Sequence, residues 1–181
     1  MTMTEQAYLK DCLLQLQKLK SQVDRSIAQV KDEDLFSKLD PEANSIAIIM
    51  KHLVGNMRSR WTDFLTSDGE KPDRNRDAEF ESKAEDTREK VLASWEDGWS
   101  RVFVTIKGLK PDDIARTITI RGERHSVLEA INRQMTHYAA HVGQIVLLAK
   151  HYAGPNWRTL SIPRGKSNTS DVSKSGEQSS L

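Results

Sequence analysis

Only one cysteine, Cys12, occurs in the 181 residues, so no internal disulfide can form and nothing points to an oxidising compartment. Neither charge is in excess: 27 Lys and Arg stand against 26 Asp and Glu, a net charge of +1. That balance supplies no field able to hold nucleic acid or an anionic membrane by bulk electrostatics, so neither is expected as a partner. Long apolar runs are missing too, none reaching the roughly 18 residues of a membrane-spanning helix. The opening MTMTEQAYLKDCLLQLQKLK has no basic stretch followed by an unbroken apolar core, and does not read as a secretory signal. With 37% apolar and 29% charged residues, the expectation is a soluble, cytoplasmic globular domain with a tail.

What is present is helical periodicity in four long segments. From about Thr4 to Val30, Leu9, Leu13, Leu16, Leu19, Val23, Ile27 and Val30 step by three and four. Lys31 to Glu42 is polar, contains Pro41 and reads as a loop. A second helix is predicted from Asn44 or Ser45, either of which can cap it, to about Leu65, with Ile46, Ile49, Leu53, Met57, Trp61 and Phe64 in one stripe. Glu70 to Asp86, densely charged and containing Pro72, reads as a solvated connection. A third helix fits Thr87 to about Lys107, closed by Gly108 and Pro111. Arg116 to Ile120 is rich in β-branched residues and Arg121-Gly122 is a turn signal, so a short extended piece or hairpin is expected before the last helix.

The fourth helix begins at a capping box, Ser126 with Glu129, and runs to Tyr152 before Gly154-Pro155. Leu128, Ile131, Met135, Tyr138, Val142, Ile145, Ala149 and Tyr152 follow a seven-residue repeat, which favours near-parallel packing on other helices. The reading is all-α: an up-down four-helix bundle over residues 1–165, followed by a Ser-rich disordered tail over 166–181.

His137 and His141 lie four apart on the fourth helix, one turn from each other, within reach of one metal ion. The pair alone is a weak motif, but its strip adjoins the apolar seam, where unpaired imidazoles would cost free energy. His52, on an inner strip of the second helix with Ile48, Gly55 and Ser59, offers a third nitrogen. Three neutral imidazoles leave a coordination position free, as catalytic sites do. The plainer alternative is three hydrogen-bonded core histidines. Cys12 fits a small core residue better than a soft ligand. His125 reads as local structure, and His151, about 15 Å further along the helix than His141, is too far to share its ion.

Several stretches are familiar as a set. They are Ile118 to Val127, Ala130 to Gln134, and His137 to Ile145 with its two histidines. Lys51-His52-Leu53, Asn56 to Trp61, and Trp157 with Leu160 to Gly165 complete it. Over most of residues 5–166 the chain resembles the DinB/YfiT-like superfamily, in a branch of mostly uncharacterised small bacterial proteins. The resemblance implies a four-helix bundle, commonly a homodimer, holding a divalent metal on His52, His137 and His141. It also implies relatives that are S-transferases and isomerases using low-molecular-weight thiols, or metal-dependent hydrolases; no residue here selects among them.

The leading expectation is therefore a metal-dependent enzyme, hydrolase or thiol S-transferase-like, acting on a small molecule, in which the ion stabilises a deprotonated water or thiol. Imidazole donors favour Zn or Ni. Asn56 and Gln144, each about one turn from a histidine, are candidates for the open side of the pocket, and Arg133 for receiving an anionic substrate. The plainer readings are ordinary polar packing at a bundle end for Asn56 and Gln144, and a carboxylate partner or solvent for Arg133. No Asp or Glu stands one turn from the histidines as a general base, which weakens the hydrolase version. The alternative is a non-catalytic bundle protein that captures a metal and a small ligand.

Overall fold

The computed structural model describes residues 3–166. Of the expected tail, residues 166–181, all but Lys166 lie outside the described residues. The chain is mostly helical. Its helices are α1 (Met3–Ile27), α2 (Asp32–Phe36), α3 (Ile46–Trp61), α4 (Arg88–Gly108) and α5 (Val127–Ala153). Strands β1 (Thr117–Ile120) and β2 (Glu123–Ser126) precede α5 and form an antiparallel pair in which Thr117 faces Ser126 and Ile120 faces Glu123. Among the described residues no helix is long and apolar enough to cross a membrane.

Local chemistry accounts for the helix ends. The Ser45 hydroxyl accepts from the Ile48 amide and that of Thr87 from Lys90. At the start of α5 the Ser126 hydroxyl accepts from the Glu129 amide, and the Glu129 carboxylate accepts from the Ser126 amide. Two of the helices are shorter than their periodicity suggests: α1 stops at Ile27 and α3 at Trp61. The polar stretch after Val30 is no simple loop, since Asp32, Glu33 and Asp34 open the short α2, where acids suit the N-terminal dipole. Leu35 is thereby carried into the core.

The packing joins α3 to α4 and α5, and α1 to α5 and α4. The seams share one core containing Leu16, Val23, Leu53, Met57, Trp95, Trp99, Ile131, Tyr138 and Ile145. A polar chain crosses it: the Trp61 indole donates to the Tyr138 hydroxyl at 2.8 Å, which donates to Asn56 Oδ1 at 3.1 Å. It ties α3 to α5 at the level of the histidines.

The charged segment after α3 departs most from its expected solvated character. It is folded down along α3. The Ser59 hydroxyl donates to the Gly69 carbonyl at 2.8 Å and accepts from the Lys71 amide at 3.0 Å. Further along, Lys51 Nζ donates to the Glu81 carbonyl and pairs with Asp86, at 2.8 and 2.7 Å. Asp68 clamps the hairpin. Its carboxylate accepts from the amides of Arg121 and Gly122, both at 2.8 Å, where both residues adopt positive φ. A 3-10 turn at Asp77–Phe80 then lies against α3.

Candidate metal centre

His52 projects from the second turn of α3, and His137 and His141 from the middle of α5. One nitrogen from each lies within 4.8 Å of the others, a group that can hold a metal ion. Ring centroids are 5.3 Å apart for His52 and His137, 5.1 Å for His52 and His141, and 4.7 Å for His137 and His141. Each pair is steeply inclined, between 71° and 90°, so the rings meet edge-on and not in a stack. His52 Nε2 and His137 Nε2 are 3.2 Å apart, close to the about 3.3 Å that two nitrogens take on a tetrahedral ion with roughly 2.0 Å bonds.

The remaining nitrogens show which atoms are available. His52 Nδ1 donates to Glu79 Oε2 at 2.8 Å, because a carboxylate can only accept; Nε2 is the nitrogen left to face a metal. His141 Nδ1 is likewise engaged by Gln144 Oε1 at 2.8 Å. Outer hydrogen bonds of this kind fix tautomer and ring orientation in metal-binding histidines. His137 Nδ1 is buried and without a partner among the described residues.

Electrostatics disfavour protonation of the two α5 donors. Burial, then the neighbouring His141 and His52, then Arg74 and Arg60, push His137 down to about 4. His141 is lowered as well, chiefly by burial, against the bond from Gln144. The two α5 rings thus offer lone pairs at neutral pH, and a three-imidazole donor set suits a borderline divalent cation. The residues fit the ion.

Glu79 was not legible as a site residue, because it comes from the charged segment and not from a periodic strip. It is only 9% exposed. Burial opposes its ionisation, but bonds from His52 and Arg74 outweigh that and hold its pKa below the usual range. Arg74 grips it with two nitrogens, Nε to Oε1 at 2.8 Å and Nη2 to Oε2 at 3.0 Å. Room for the carboxylate exists because residue 55 is glycine: a Cβ there would lie 2.1 Å from Glu79 Oε1. Phe80 stacks on the His52 ring at 4.8 Å. The only advance signal was the pair of small residues, Gly55 and Ser59, beside His52.

The other candidates separate. Asn56 and Arg133 line a cavity of about 180 Å³ that begins at His52 and His137. Gln144 is not on that wall and instead supports His141. Cys12 is buried in the core, His125 lies in β2, and His151 is exposed on the last turn of α5. None of these three belongs to the metal-competent group.

Residues 3–166 match the model of a family described as a protein of unknown function, DUF1572. No curated protein matches the chain.

Proposed function

The chain belongs to the DUF1572 family, and from its site we propose that it is a metal-dependent enzyme of the DinB/YfiT type, with His52, His137 and His141 as the metal ligands. One observation carries the reading: three imidazole nitrogens from α3 and α5 within 4.8 Å of one another. The likeness in the fourth-helix motif supports the finer picture. In it α1, α3, α4 and α5 form an up-down bundle over residues 1–165, and two copies form a cytoplasmic homodimer. A bound Zn or Ni supplies Lewis acidity and stabilises the deprotonated form of a ligand that reaches it. Glu79 and Gln144 orient His52 and His141, and Asn56 and Arg133 face the cavity from which a small substrate, such as a low-molecular-weight thiol, would approach.

Both Glu79 oxygens are occupied by His52 and Arg74, so this carboxylate is not a free general base. That observation favours thiol transfer over hydrolysis, and it keeps a second reading open in which the protein binds metal and ligand without turnover. Elemental analysis of protein purified without an affinity tag tests the metal. About one Zn or Ni per chain is expected, with loss in His141→Ala; metal-free wild type would overturn the proposal. Turnover of thiol conjugates or esters by loaded wild type, and not by His141→Ala, separates the enzyme from the binding protein.

A further inference from the structure

The cavity beside the histidines has an unusual wall. Arg60, Arg74, Arg76, Arg121 and Arg133 all line it, and no carboxylate among the described residues does. Behind that wall, among the described residues, two acids are in contact with the guanidiniums. Glu70 is shared by Arg60 at 2.9 Å, Arg121 at 2.9 Å and Arg74 at 3.4 Å, and Glu79 is held by Arg74 and His52. Positive charge is therefore in excess at this one place, although the whole chain is nearly neutral.

Two of the arginines have no acid partner among the described residues. Arg133, exposed on α5 one turn before His137, has no hydrogen-bond or ion-pair partner among the described residues. Arg76 lies 5.2 Å over the Phe80 ring and has no acid partner there. The floor is unsatisfied as well. Arg60 is 4% exposed and Gln134 3% exposed, yet Arg60 Nε and Gln134 Oε1 are buried without partners. Keeping a buried guanidinium nitrogen unpaired is costly, and Arg60 Nε on this wall calls for an acceptor-bearing ligand that completes it; Gln134 Oε1, itself an acceptor, is not served by an anion.

We propose that this cavity binds a small dianion, a molecule carrying two carboxylates or a phosphate group, between Arg60 on the floor and Arg76 and Arg133 on the rim. This reading deepens the proposed function by naming the substrate class, and rests on it only for the role of the neighbouring histidines. Guanidiniums match carboxylate and phosphate in plane and spacing, which an ammonium would not. A volume of about 180 Å³, below the roughly 300–1,000 Å³ of drug-sized sites, limits the ligand to a few heavy atoms beyond its charged groups.

Calorimetric titration of chelator-treated, metal-free full-length protein with malonate and with inorganic phosphate tests this. Acetate serves as the monoanion control and malonamide as the neutral one. Saturable one-to-one binding of at least one dianion is expected, weaker for acetate by about tenfold or more, and absent for malonamide. In the double variant Arg76→Gln/Arg133→Gln the dissociation constant should rise at least about tenfold. Both side chains are exposed, so its thermal unfolding should match wild type. The metal content of reloaded samples should be the same for both proteins. No saturable heat up to about 10 mM dianion, or equal affinity in the folded double variant, overturns the anion pocket and leaves the metal reading standing. Dianion binding that survives where no metal can be loaded would instead sink the metal reading alone.

Discussion

Gly55 sits where any side chain would strike the carboxylate that orients His52. Gly55→Ala should displace Glu79 without touching a ligand atom. Metal affinity, read by competition with a chromophoric chelator, is expected to fall about 10–100-fold, the usual cost of losing an outer-shell partner. Gly143→Ala is the matched control, since a Cβ on that α5 glycine meets nothing within 4 Å. Equal affinities in the two variants would show that Glu79 does not support the site. The sequence marks Gly55 as a small residue beside His52, but what fills the space it leaves, a carboxylate from a distant segment, is shown only by the structure.

At the scale of elements, the segment between α3 and α4 governs the site's surroundings. It has no periodicity to bury, so its path is set by polar bonds to Ser59, Lys51 and the hairpin. Asp68 is the anchor to the hairpin. Amides of Glu70 and Gly122 hold its carboxyl down to about 2 from an ordinary 3.8, against some burial and with help from Arg121. A folded value below the unfolded one means that the stabilisation is complete above pH ~3.8 and is lost as pH falls through about 2. Asp68→Asn is therefore expected to lower stability at neutral pH by about 1–2 kcal/mol. The deficit should shrink as wild type is taken toward pH 2, in chemical denaturation at stepped pH. A constant deficit over that range would mean that the carboxylate charge is not what secures the turn.

At the scale of the whole molecule, an ion shared by α3 and α5 would join two helices at mid-length, where Trp61, Tyr138 and Asn56 already connect them. Ligand linkage then predicts that metal at about 100 times its dissociation constant adds about 2.7 kcal/mol, raising the unfolding temperature by about 5–10 °C for a chain of this size. Calorimetry with and without chelator measures it, and His141→Ala should abolish the difference. An unchanged melting temperature in protein shown to carry metal would place the ion away from the core of the fold.

The sequence by itself determined the four long helices and most of their inward faces, though not the short α2, because periodicity, caps and breakers are local properties. Ser126 with Glu129, Ser45 and Thr87 begin their helices where their side chains can satisfy free amides. His137 and His141 could be read as a pair because one helical turn separates them, and His52 as their companion because small residues flank it. Which histidine nitrogens are free, and what stands behind them, was decided only by tertiary structure. Glu79 reaches His52 across 27 residues of chain, and Arg60, Arg74 and Arg121 gather around Glu70 from three separate segments. Contacts of that kind depend on the path of an aperiodic polar segment. That path follows from hydrogen bonds between residues far apart in the chain, and no spacing rule encodes them.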